Sequence, residues 1–83
     1  MAEKFYVYIL KSTKQNRIYI GHTQDVTNRL HRHNSGYVKS TQPYRPWILL
    51  ELHPFKSRNE AVAAEKYFKT SQQREFIKKR HQL

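Results

Sequence analysis

Apolar and polar positions alternate over residues 5–11. Phe5, Val7 and Ile9 fall on one side and Tyr6, Tyr8 and Leu10 on the other, which is the period of a β-strand. The polar stretch 12–16 suits a hairpin turn, and residues 17–22 continue as a second strand that holds Tyr19, Ile20 and Gly21. Antiparallel pairing would put Tyr6, Tyr8 and Tyr19 on one face. Gly21 would leave a gap there, where a backbone or a ligand could come close. Residues 25–34 read as a helix with Asp25 as N-cap and Gly36 just beyond its end; Val26 and Leu30 form its apolar edge. Gly36, Pro43 and Pro46 mark 35–46 as an extended loop. A third strand follows over 47–55, with Trp47, Leu49 and Glu51 on one face and Ile48, Leu50 and Leu52 on the other. Residues 57–70 form a second helix, opened by a Ser57-x-x-Glu60 capping box, and 72–81 a short terminal one. The order strand, strand, helix, strand, helix, with the added terminal helix, predicts an α+β fold: a three-stranded antiparallel or mixed sheet packed with helices. At 83 residues this is a single small domain over 1–83, its core at about 4–70 and 71–83 a short basic C-terminal helix or tail.

Three residues break the apolar pattern. Glu65 stands between Val62 and Phe68, the natural buried stripe of the second helix. A carboxylate there requires a cation, a donor or a metal ion; from this helix alone, a rim glutamate paired with a lysine or arginine is the plainer account. Arg29 and His33 flank the Val26–Leu30 edge of the first helix. Taken singly, they read as an arginine snorkelling over the core and a solvated last-turn histidine.

Sixteen Lys and Arg against six Asp and Glu give a formal charge of +10, which favours a polyanionic partner. Several cations interleave with Tyr37, Tyr44, Trp47, Tyr67 and Phe76, a mixture suited to phosphates and splayed bases. Arg17, Arg32, Lys39, Lys69, Arg74, Lys78 and Lys79 are the expected nucleic-acid contacts. The absence of cysteine excludes a disulfide partner and thiolate metal sites and points to a cytoplasmic protein. No apolar run is long enough to span a bilayer, and no signal-peptide core follows Met1. With two glycines there is no phosphate loop. His53 and His81 read as surface residues.

Tyr6-Val7-Tyr8, then Tyr19-Ile20-Gly21, then Arg29 with His33 one turn later, and Glu65 on the second helix stand in the order and spacing of one family. The chain resembles the GIY-YIG endonucleases, most closely their small stand-alone bacterial members. The glycine of the first motif is replaced by Tyr6, and His22 follows the second motif where several repair members carry a lysine.

The resemblance implies a divalent-metal-dependent nuclease acting on DNA in preference to RNA, with one Mg2+ or Mn2+ ion held by Glu65. It also implies that Tyr19 or Tyr8 takes the proton of the attacking water. A free tyrosine ionises near pH 10, so the metal, Arg29 or His22 would have to assist it. Arg29 would neutralise charge on the phosphorus and His33 would orient the tyrosine or touch the phosphate. Tyr6 and Gly21 are structural members of the motifs. The rival reading keeps the fold and basic surface as a catalytically weak or inactive nucleic-acid-binding module, with Glu65 and Arg29 in a structural ion pair.

Overall fold

A computed structural model describes residues 4–83; residues 1–3, the start of the expected domain, lie outside the described residues. The elements are β1 (Phe5–Ser12), β2 (Ile18–Thr23), α1 (Val26–Asn34), a 3-10 turn (Gln42–Tyr44), β3 (Trp47–Phe55), α2 (Arg58–Phe68) and α3 (Ser71–Arg80). The sheet order is β2-β1-β3 and both pairings are antiparallel. The domain is therefore α+β, and β2 is a free edge.

Alternation along β1 divides the core in two. Val7 and Ile9 pack with Ile18, Ile20, Ala61 and Ile77 under α2 and α3. Tyr8 and Leu10 pack with Trp47, Tyr19 and Leu30 under α1. Burial of Ile77 makes α3 part of the core, so the packed interior reaches past residue 70.

The helix ends follow their caps. Asp25 accepts from the Asn28 amide at 3.0 Å, and Ser57 from the Glu60 amide at 3.2 Å. At the end of α1 the Tyr37 amide donates to Arg32 and the Gly36 amide to His33, with Gly36 at φ 86°. That is the left-handed termination glycine permits.

One expectation fails in β3. A register shift between Ile9 and Leu10 pairs Ile9 with Glu51 and Leu10 with Leu49. Leu50 is the extra residue of this bulge, and the alternation reverses beyond it. Glu51 therefore shares the α2–α3 face with Leu50, while Leu52 pairs with Tyr8 on the α1 face. The assignment of Glu51 to the Trp47 face is corrected accordingly.

Candidate active site

The first group of side chains lies on the α1 face. Tyr8 and His33 are 2% and 1% exposed, and the Tyr8 hydroxyl is 3.1 Å from His33 Nε2. His33 Nδ1 lies 2.8 Å from Thr41 Oγ1, whose own proton goes to the Val38 carbonyl at 3.2 Å. Thr41 has no second proton, so His33 Nδ1–H donates to it and the bare Nε2 accepts from Tyr8. Burial lowers the His33 pKa, and Arg29 and Arg32 lower it further, so the ring is held neutral. Burial likewise raises the Tyr8 pKa well above its usual 10.0; Tyr19 and Glu65 add to this and Arg29 opposes it. Tyr19 packs 6.1 Å from Tyr8 and 4.7 Å from His33, ring centre to ring centre, and stays partly accessible. His33 is thus a core residue, not a solvated one.

Gly21 pairs with Tyr8 across the sheet. A Cβ there would sit 2.6 Å from the Tyr8 hydroxyl and 3.1 Å from the Tyr19 ring. The gap expected at Gly21 is filled by the phenol itself, which explains the glycine. Tyr6 lies partly buried at the start of the same pairing, opposite Thr23.

The second group lies on the α2 face of the same edge strand. Glu65, 18% exposed, receives His22 Nδ1–H on Oε1 at 2.7 Å and Lys69 Nζ on Oε2 at 2.9 Å. Burial would raise its pKa, but these two donors outweigh that and hold it below the ordinary carboxylate value. Because β2 is an edge, groups from both faces meet around it. A cleft of about 270 Å³ is lined by Arg29 from α1, by His22 and Thr23, and by Arg58 from α2. A second, of about 280 Å³, is lined by Ile18, Tyr19, Ile20, Lys69 and Arg74. Among the described residues no hydrogen bond joins Glu65 to Tyr8, Tyr19 or Arg29. Arg29 is not its ion-pair partner; Lys69 is.

The expected nucleic-acid cations are dispersed. Lys69 pairs with Glu65, and the Arg17 guanidinium lies 4.0 Å over the Tyr44 ring. Arg74 reaches a cleft, Arg32, Lys39 and Lys79 are exposed, and Lys78 is half-buried.

Thr41 and Arg58 were not visible as site residues in the sequence. Thr41 sits in the loop without a motif, and Arg58 is one arginine among many. His53 and His81, expected at the surface, instead contact Glu51 at 2.8 and 2.5 Å, and Arg80 grips the same carboxylate with Nε at 3.0 Å and Nη2 at 3.1 Å.

A known family matches almost the whole chain. The profile of the GIY-YIG catalytic domain covers residues 4–80. The chain belongs to the GIY-YIG family. It is similar to a UPF0213 protein of Staphylococcus haemolyticus, 38% identical over 76 residues, covering 90% of this chain and 92% of that one. A UPF0213 protein of Streptococcus pneumoniae is 38% identical over 81 residues, covering 93% and 81%. The solution NMR structure of a UPF0213 protein from Bacillus halodurans superposes with a TM-score of 0.55 at 32% identity, covering 89% of this chain and 81% of that one. GIY-YIG domains are nuclease domains. They act on nucleic acid and generally depend on a divalent metal. No helix among the described residues is long and apolar enough to cross a membrane.

Whether this chain's residues suit such an ion turns on Glu65. Among the described residues no cluster of three or more His, Asp or Glu is placed to hold a metal. A single ionised carboxylate suits Mg2+, which keeps most of its waters. Glu65 Oε2 is held only by Lys69, a half-exposed side chain on a flexible stem, which can withdraw. The residues fit one hydrated ion.

Proposed function

We propose that the chain is a divalent-metal-dependent endonuclease that hydrolyses phosphodiester bonds in DNA, with Glu65 as the protein ligand of one Mg2+ or Mn2+ ion. One observation carries this reading. Glu65 is a half-buried carboxylate kept ionised by a histidine and a displaceable lysine; His22 lines one cleft with Arg29, and Lys69 lines a second with Tyr19. When bound, the ion supplies Lewis-acid stabilisation of the leaving oxygen.

The side chains divide the remaining work. His22 fixes Glu65 Oε1 and so aims the other oxygen. Arg29 faces the cleft from α1 and neutralises charge as it builds on the phosphorus. Tyr19 is the accessible phenol and the better candidate to take the proton of water, acting as the phenolate after its own hydroxyl proton has passed to solvent. Tyr8 is sealed in the core, its proton shared with His33 and its ionisation opposed by burial; it holds Tyr19 and Gly21 in place. His33 orients Tyr8 and packs tilted against Tyr19, and is assigned no contact with the phosphate.

The binding-module alternative is favoured by one observation: both oxygens of Glu65 already have a donor, His22 on one and Lys69 on the other. A plasmid-nicking assay with Mg2+, with Mn2+ and with chelator separates the two. Nicking that requires the divalent ion supports the nuclease. No cleavage of any DNA or RNA form across divalent ions, with binding retained, leaves the binding module.

A further inference from the structure

Arg58 opens α2, and its exposed side chain reaches the cleft that Arg29 enters from α1. Neither arginine has an ion-pair partner among the described residues; Glu51 and Glu65 are paired instead with His22, His53, Lys69, Arg80 and His81. The charged and titratable groups lining this cleft are Arg29, Arg58, His22 and Asp25. Asp25 already uses one carboxylate oxygen to cap α1. Asp25 keeps its negative charge in that role, so the two arginines leave the lining of this cleft with an excess of positive charge that an anion would offset. The fork of an arginine matches a phosphate in particular. The Phe5 ring, 5.4 Å from the Arg58 guanidinium, supplies an apolar wall in the same cleft, suited to the sugar or base beside a phosphate.

We propose that Arg58 is a substrate-binding residue that holds the phosphate next to the one Arg29 faces, so that the site takes a polynucleotide strand and not an isolated phosphate ester. The identity of the attacked phosphate rests on the nuclease reading above; the binding of a strand in the cleft does not.

The test compares wild type with Arg58→Met, which keeps an unbranched side chain beside Phe5 and removes the charge, and Arg58→Lys, which restores it. Fluorescence anisotropy with labelled DNA in chelator gives Kd at several salt concentrations, and thermal melting monitors the fold. Arg58→Met should weaken binding roughly fivefold to tenfold and reduce the log-log salt slope by about 0.7 to 0.9, the share of one phosphate contact. Arg58→Lys should recover the slope. In the divalent ion, Arg58→Met should raise KM with little change in kcat, as expected for uniform binding. An unchanged salt slope, or a lowered Tm as the sole effect, would overturn the proposal and make Arg58 a packing partner of Phe5. If the wild type binds with an Arg58-dependent slope and never cleaves, the nuclease reading falls while the strand site stands.

Discussion

Glu51 and Glu65 are two half-buried carboxylates on the α2–α3 side of one small sheet, and each is held below its ordinary pKa by donors that outweigh burial. Their partners differ. Glu51 is gripped by both ends of the Arg80 fork and by His53 and His81. These contacts tie β3 to the end of α3. Glu65 has one donor on each oxygen, and one of the two is a half-exposed lysine. The first is a pin whose lone pairs are used up. The second can exchange a partner. The number of contacts, more than burial, is what distinguishes the two carboxylates.

The largest expected effect falls on cleavage. Glu65→Gln keeps the side-chain shape and removes the charge, and should lower turnover by about 1000-fold or more, roughly 4 kcal/mol. Its affinity for DNA should stay near normal. Glu51→Gln should leave turnover close to wild type once the protein is folded. Equal losses in both variants would erase the distinction. Arg29→Ala should cut the rate by about 100-fold, near 3 kcal/mol, if it meets transition-state charge; single-turnover kinetics would show it.

On stability the order reverses. Glu51→Gln removes the charge and one of the two acceptor oxygens that Arg80, His53 and His81 share, and should cost about 1–3 kcal/mol in denaturant unfolding. Glu65→Gln should cost less, because Lys69 is free to turn to solvent. A Glu65 variant that unfolds more readily than the Glu51 variant would make Glu65 the pin.

Acid should weaken the fold in two stages. His33 has a depressed folded pKa, so its contribution is complete above about pH 6.5 and fades as pH falls below that, when the unfolded chain takes up the proton first. Glu51 and Glu65 are also depressed, so their share is present above the ordinary 4.5 and is lost as pH falls through their folded values. Melting temperature measured from pH 8 down to 3 should show both stages. His33→Gln should remove the upper one.

Much of this was legible along the chain, for identifiable reasons. The caps Asp25 and Ser57 and the left-handed Gly36 act locally, so they mark helix ends in the sequence. Tyr8, Tyr19, Arg29 and Glu65 stand out because each breaks or colours a periodic pattern. The bulge at Leu50 has no such sign, and one extra residue was enough to reverse the faces of Glu51 and Leu52. The partners of buried polar groups were the hardest to see. Thr41 meets His33 from a loop, and His81 meets Glu51 from a distance of 30 residues. Those pairings exist only once the sheet has brought the elements together.

The central claim is that a divalent ion goes to Glu65 and not to Glu51. Substoichiometric Mn2+ added to labelled protein, with amide signals followed by NMR, tests it directly. Paramagnetic broadening should centre on Gly21–Thr23 and on Glu65–Lys69, persist in Glu51→Gln and vanish in Glu65→Gln. Broadening centred on Glu51, His53 and His81, or an unchanged pattern in Glu65→Gln, would contradict the account.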